Sequence, residues 1–399
     1  MSTRSPESEM YRSSAICSRG RARVVTRGKL SSSSPRGSGA RPASPDFAGR
    51  NNRFRGELQK QGVDGFLVSH PPNLSYLFNI RPSVGFAVCS VRESVLVLDS
   101  RYIEQAQAEA VNCRLVKAGN SLEDTLKEVI GGVASGSNTP FRLGVESRHL
   151  SFATAQLIMS WSRDFRVLPR EEVVEDLRML KEPHEIQTLE NAFRIAQAAF
   201  AQILPEIRPG RTELEIAGLF ELELRKRGGE KAAFDTIVAS GPRSSLPHGR
   251  ASRRVIGNDE LVLIDFGVQA EGYCSDLTRV LFPGGAPEPD IFAIVHEAQQ
   301  KAIQAAKPGI LTSAVDAAAR DHITKAGYGE YFGHSLGHGL GLEVHESPLV
   351  SWRAARPLEE GMVFTVEPGI YLPGRHGVRI EDAVVVTSTG CRLLSDPDR

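Results

Sequence analysis

The sequence predicts an α/β domain followed by a larger α+β domain, and three observations lead there. Between about residues 51 and 170, short apolar runs alternate with amphipathic stretches, the order from which a helix-covered sheet is built. From about Asp176 the helical periods lengthen, and β-rich segments with acidic residues inside them appear. Residues 1–48 belong to neither pattern: they carry eight Arg and one Lys against three acids, with Ser, Pro and Gly between. Such a mixture cannot bury a core, so a disordered tail is expected, with a mis-assigned start or an organelle transit peptide as the other readings.

At 399 residues, 41% hydrophobic and 24% charged, the chain has apolar material for two cores. Its formal net charge of +0 offers no global attraction to nucleic acid or to a membrane surface. No apolar run approaches the ~20 residues of a membrane helix. The five cysteines are scattered without a C-x-x-C, which argues against a disulfide framework or zinc knuckle and suits a reducing, cytoplasmic setting.

In the first domain, expected over 51–172, RFRGELQKQG reads as helix and GFLVSH as strand. GFAVCSV and ESVLVLDS, separated by Arg92 and Glu93, read as a hairpin. YIEQAQAEAV is helical, CRLVKAG strand-like, and SLEDTLKEVIGG a helix stopped by its two glycines. FRLGVES, SFATAQLIMSW and FRVLP complete the domain. No chemical constellation stands out here, and His70, before two prolines, reads as a turn residue.

The second domain is expected over 176–397. Pro183 begins a helix marked by Ile186, Leu189, Phe193, Ala196, Phe200 and Ile203, and Pro209-Gly210 ends it. Thr212 and Glu215 make a capping box for the next helix, which stops at Gly228-Gly229. Helices follow over 289–307 and 313–326. The segments LVLIDFGV, YCSDLTRVLF, MVFTVEPGIYL and GVRIEDAVVVT read as strands, and the chemistry concentrates in them.

LVLIDFGV and YCSDLTRVLF flank Gln269-Ala270-Glu271-Gly272. A hairpin folded about these four residues sets Val268 against Tyr273 and Asp265 against Asp276, on one face. Like charges directly opposed on paired strands repel, and Asp265 follows an apolar run typical of a buried strand. A carboxylate buried there costs several kcal/mol unless a proton or cation compensates. The second hairpin, turning about Gly374, sets Glu367 against Glu381 in the same way. Two opposed acid pairs in one domain point to hard divalent cations. The glycine-rich stretch GHSLGHGLGLEVHESP adds His334, His338 and His345, and LPHGR adds His248. Gly333 to Gly337 also spells G-x-S-x-G, but the glycines that follow leave no helix for a nucleophile elbow.

From about Arg53 onward these residues resemble the pita-bread metallopeptidases: prolidase, aminopeptidase P, methionine aminopeptidase and relatives. RMLKEPHEI, LPHGR, LIDFGV, GYCSDLTR, GHSLGHGLGLEVHESP, TVEPGIY and GVRIEDAV carry the resemblance, in that order. It implies an α/β N-terminal domain followed by an α+β pita-bread catalytic domain. It further implies that Asp265 chelates one ion, Asp276 and Glu381 bridge two, and His338 and Glu367 bind the second. His248 and His345 match histidines that contact the substrate at the scissile bond, His334 one lining the pocket of proline-specific members, and Arg379 an arginine supporting the site.

The activity implied is hydrolysis of the Xaa-Pro bond at the N-terminus of peptides or in dipeptides, by attack of a hydroxide shared between two divalent ions. Manganese is expected, with cobalt, iron or zinc as alternatives. Glu367, His248 and His345 are the expected catalytic groups, short peptides with proline second the substrates, and a homodimer the assembly. Intact ligands argue against a metal-free binding or scaffold protein on this fold. The N-terminal domain argues against a methionine aminopeptidase, although another aminopeptidase specificity without proline preference stays open, as does dipeptidase against longer-peptide activity.

Overall fold

The computed structural model describes residues 44–135, 140–161 and 165–395. Most of the Arg- and Ser-rich segment thus lies outside the described residues. Near its end, Asp46 already caps the first helix, Phe47–Lys60, by accepting from Gly49 N.

The first half is a six-stranded sheet with strands β1 (Gly65–Val68), β2 (Phe86–Ser90), β3 (Ser94–Leu98), β4 (Arg114–Lys117), β5 (Phe141–Glu146) and β6 (Phe165–Arg170). Their order is β4-β3-β2-β1-β5-β6, with β2 antiparallel to both neighbours and the remaining pairs parallel. Strand β1 is apolar throughout because both its faces are covered: Phe66 and Val68 join one core, Leu67 the other. The helix expected to stop at two glycines runs through them, Leu122–Ala134. A Cβ on Gly131 or Gly132 would meet nothing within 4 Å, and the helix is held instead by burial of Leu126 and Ile130. His70 is the N-cap of helix Pro71–Phe78 rather than a plain turn residue.

In the second half, helices Pro183–Ile203 and Glu213–Lys226 cover one core, and Asp290–Ala305 and Thr312–Lys325 another. Both of the first two begin with capping boxes, Glu182 with Glu185 and Thr212 with Glu215. After these two helices come strands β7 (Lys231–Ala232), β8 (Ile237–Ser240), β9 (Val262–Phe266), β10 (Val268–Ala270), β11 (Tyr273–Cys274) and β12 (Leu277–Leu281). They are followed by β13 (Gly337–Gly339), β14 (Glu346–Val350), β15 (Val363–Val366), β16 (Gly369–Leu372), β17 (His376–Arg379), β18 (Asp382–Val386) and β19 (Cys391–Leu393).

The first acid-bearing hairpin departs from the expected register by two residues. Ala270 pairs with Tyr273, and Asp265 with Thr278 instead of Asp276. The reason is the turn: Glu271 and Gly272 both have positive φ, so the loop is a two-residue one whose twist matches the strands. A shift of two keeps every side chain on its face, so Asp265 and Asp276 remain diagonal neighbours. The second hairpin keeps the expected register. Val366 pairs with Asp382 and Gly369 with Arg379, which sets Glu367 against Glu381.

The backbone bridge from Thr278 to Glu381 helps to join the two hairpins. Strand β13 is pressed between β14 and β15, and glycine is required on either side of His338. A Cβ on Gly337 would lie 1.8 Å from Thr365 O, and one on Gly339 2.1 Å from Ser347 O. Gly337→Ala is therefore expected to lower stability by about 3 kcal/mol in urea unfolding; an unchanged midpoint would mean that the backbone can yield there.

Candidate active site

All nine residues singled out from the sequence line one cleft of about 910 Å³: His248, Asp265, Asp276, His334, His338, His345, Glu367, Arg379 and Glu381. Each acid comes from a strand or from the break beside one. Asp265 lies in β9, Asp276 just before β12, Glu367 between β15 and β16, and Glu381 between β17 and β18. His338 is the middle residue of β13.

Besides Arg379, the carboxylates are held by donors that the sequence did not single out. Thr278 Oγ1 donates to Glu381 Oε2 at 2.7 Å and accepts from Arg379 Nε at 3.0 Å. Thr365 Oγ1 donates to Glu367 Oε1 at 3.1 Å and accepts from His338 N at 3.1 Å. Both threonines stand two residues from an acid on the same strand face, so period-two spacing was a usable signal for them. Arg379 donates to Asp265 Oδ2 at 2.7 Å, to Tyr371 Oη at 2.9 Å and to Pro247 O at 3.0 Å.

Tyr371, also missed, passes this chain of bonds to His334, whose Nε2 lies 2.9 Å from its hydroxyl, while Nδ1 lies 2.8 Å from Ser335 O. A single arrangement serves every atom: Nδ1–H donates to Ser335, and Nε2 accepts from Tyr371. Burial, only partly offset by Glu367, lowers the His334 pKa, so the ring is neutral and offers a flat apolar wall. Burial likewise pushes Tyr371 up to about 12, against the pull of Arg379.

The cluster is electrostatically overloaded. Burial, with Glu381, Asp265 and Glu367 adding to it, raises Asp276 well above the ordinary carboxylate range. Glu381 is raised in the same way by burial, then by Glu367 and Asp265. Asp265 is raised by burial, with Arg379 opposing. Burial would also raise Glu367, but His338, whose Nε2 lies 3.2 Å from Glu367 Oε1, outweighs it and holds Glu367 at about 2.

Three observations fit these residues to divalent cations. Asp265 Oδ1 and Asp276 Oδ1 are buried acceptors without a donor. One ligand atom each from Asp276, His338 and Glu381 lie within 4.8 Å of one another. His338 Nδ1 lies 3.0 Å from Gly339 O and can donate to it, which leaves Nε2, the nitrogen facing the acids, to give up its proton to a bound cation.

His248 and His345 are exposed at the cleft, and the ring of His345 lies 4.3 Å from that of His338. Burial and the neighbouring His338 charge lower the His345 pKa. The N-terminal domain, expected to carry no chemical constellation, contributes Arg148 and His149 to the same cleft. Nothing in the local pattern around them signals it, because the contact is made across domains.

A cleft walled by opposed carboxylates on paired hairpins, closed by a second domain, is shared with known proteins. Residues 187–388 match the metallopeptidase family M24, and residues 50–180 match the creatinase/prolidase N-terminal domain. The chain is 38% identical to an Xaa-Pro dipeptidase of Pyrococcus horikoshii over 344 residues, covering 86% of this chain and 95% of that protein. Among solved structures it is similar to an Xaa-Pro dipeptidase from Bacillus anthracis, with a TM-score of 0.83, 39% identity, and coverage of 88% of this chain and 98% of the other. An X-Pro aminopeptidase from Thermotoga maritima is similar too, with a TM-score of 0.77, 39% identity, and coverage of 85% and 97%. The chain belongs to the metallopeptidase family M24, with a creatinase/prolidase N-terminal domain and a pita-bread catalytic domain. It is a metallopeptidase, and no helix among the described residues is long and apolar enough to cross a membrane.

Asp276 and Glu381 hold protons more tightly when folded than when unfolded. Stability from these groups in the metal-free protein is thus present at acid pH and falls as pH rises from about 4 through the raised values. Asp276→Asn should therefore raise the metal-free melting temperature at pH 8 by about 2–4 °C, with the gap shrinking towards pH 4. Divalent ions should stabilise the wild type far more than the variant. Equal melting curves at both pH values would remove the buried charge on Asp276.

Proposed function

We propose that this metallopeptidase hydrolyses the bond preceding proline, in Xaa-Pro dipeptides or at the N-terminus of longer peptides, with two divalent ions held by Asp265, Asp276, His338, Glu367 and Glu381. The observation that carries the reading is the pair of donorless carboxylate oxygens on Asp265 and Asp276, buried beside two further acids. Asp265 would chelate one ion, His338 and Glu367 the other, and Asp276 and Glu381 would bridge. Carboxylate oxygen with one imidazole suits manganese, and cobalt, iron or zinc would also bind.

When bound, such ions supply a water acidified towards neutral pH and polarise the substrate carbonyl. The chain's own residues do the rest. Glu367, held ionised, would take the proton released from the attacking water and return it to the prolyl nitrogen as the C–N bond breaks. His345 would donate to the oxygen on which negative charge develops. His248, at the mouth of the cleft, would orient the substrate near the leaving nitrogen. The neutral ring of His334 suits the flat face of proline, whose nitrogen has no hydrogen to recognise in an acylated peptide. Relatives whose names specify Xaa-Pro dipeptides and X-Pro peptides support this specificity. A cytoplasmic homodimer is the assembly carried by the family resemblance; sedimentation should then give twice the chain mass of 43.4 kDa.

The test is hydrolysis of an Xaa-Pro dipeptide and an Xaa-Pro-Yaa tripeptide, with Mn(II) and with chelator. Metal-dependent cleavage of the dipeptide alone makes the enzyme a dipeptidase, and cleavage of the tripeptide an aminopeptidase. Asp276→Asn should lose metal retention and at least about 100-fold in kcat/KM, a loss of ~2.7 kcal/mol. Near-normal turnover by that variant, or cleavage of neither peptide under any metal, would overturn the reading.

A further inference from the structure

His345 has no side-chain anchor of its own. Its ring lies beside that of His338, and among the described residues no side chain hydrogen-bonds to it. Its place in the cleft is therefore set by its backbone, in the short connection between β13 and β14. On either side of it stand Glu343 and Glu346, and both carboxylates end on one guanidinium.

That guanidinium belongs to Arg178, in the helix Glu175–Met179 that joins the two domains, and it is 2% exposed. Its Nη2 donates to Glu343 Oε2 at 2.8 Å and also to Glu346 Oε1. Glu346 Oε1 accepts in addition from the backbone N of Glu343 at 3.0 Å, which ties the residues flanking His345 to each other. Lys181 completes the grip at 3.0 Å from Glu346 Oε2. Burial alone would raise the Glu346 pKa, but Arg178 and Lys181 outweigh it and hold it at about 2.

The other side of Arg178 faces the N-terminal domain. Nη1 donates to Asn73 Oδ1 at 2.7 Å. Asn73 is completely buried and fixed in turn, donating at 2.7 Å to Glu146 Oε1 and at 2.7 Å to Glu175 Oε1. Glu146 also accepts from Ser69 N and His70 N, at 2.7 and 2.8 Å, which anchors the start of helix Pro71–Phe78. Beside it His70 Nε2 lies 3.0 Å from Glu343 Oε1, without the alignment of a hydrogen bond. A buried ion pair alone is weak grounds for anything beyond packing. Here one planar fork grips the residues on both sides of a cleft histidine and is itself held by the other domain.

We propose that Arg178 is a positioning residue that carries the hold of the N-terminal domain, through Asn73, to His345. The claim rests on the reading of His345 as the group that donates to the developing oxyanion. It gives the N-terminal domain a part in catalysis without contact with the reacting atoms: it fixes the angle at which the histidine enters the cleft. Misplacement by about 1 Å from outside the reacting centre suffices to cost ~100-fold in rate.

A double-mutant cycle on the metal-loaded full chain tests this, with Arg178→Gln, Asn73→Ala and His345→Ala. In the parent, Arg178→Gln should lower kcat about 10- to 100-fold with far less effect on KM and no loss of bound metal. In the His345→Ala background the same change should have little further effect, because the group it acts through is gone. Asn73→Ala, which leaves Arg178 and both glutamates in place, should repeat the pattern at smaller size. An equal slowing with and without His345 would show a general structural role and overturn the proposal. So would full activity in both Arg178→Gln and Asn73→Ala. Should Arg178→Gln not fold, the Asn73→Ala cycle measures the same coupling to His345 and decides in its place. A parent inert towards Xaa-Pro peptides would instead remove the proposed function. The NMR signal of the His345 ring then still tests positioning: moved by Asn73→Ala it supports the proposal, and unmoved it overturns it.

Discussion

Four carboxylates meet inside a low-dielectric cleft, and the surrounding architecture follows from holding them there. Mutual repulsion and burial act together on Asp265, Asp276, Glu367 and Glu381, and a loop could not keep such groups facing one another. Strand pairing can, because its hydrogen bonds set the spacing of side chains before any side-chain interaction is counted. The Thr278–Glu381 bridge then helps to join one hairpin to the other, and Thr278 Oγ1 relays Arg379 to Glu381. Arg379 and His338 relieve part of the charge, and two acceptor oxygens are still left without a donor. A site so arranged is poor as packing and good as a receptacle for cations.

The histidines are placed by a different device, close backbone approach. His338 can face the acids because Gly337 and Gly339 let β13 slide between two carbonyl groups. His334 is held through its ring nitrogens, which removes it from acid–base work and leaves its faces for contact. His345 is exposed, and among the described residues no side chain hydrogen-bonds to it. Of the three, it is the one whose geometry depends on residues far away, and the buried ionic network at Arg178 supplies that constraint.

The N-terminal domain is thus more than a cover. Its sheet has two buried faces and its own cores, as an independent unit would, yet Glu146, Asn73 and His70 direct their polar atoms to the seam with the catalytic half. Arg148 and His149, next to that seam, reach the cleft itself. The cleft therefore has walls from both domains.

How much of this was legible in the chain depends on the range of the interaction responsible. Acids inside apolar strands are a local pattern, and the carboxylate pairs could be read directly from it, as could the glycine-rich histidine segment. The Glu367–Glu381 register also followed, because the turn about Gly374 is symmetrical. The Asp265–Asp276 register came out two residues off, since a four-residue loop and a two-residue turn with positive φ at Glu271 and Gly272 are equally compatible with the letters. Thr278 and Thr365 obeyed the same period-two rule as the acids and were overlooked beside them. Tyr371, Arg178, Asn73 and the cleft face of Arg148 and His149 were not readable at all. Arg178 meets Glu343 across 165 positions and Asn73 across 105, and no periodicity reports a contact of that separation. The sequence by itself determined which groups could bind cations and which strands would bear them, because side-chain chemistry and strand alternation are local. Only the tertiary structure decided how those groups are held in place, because that is the work of bonds between segments that meet only when the two domains close.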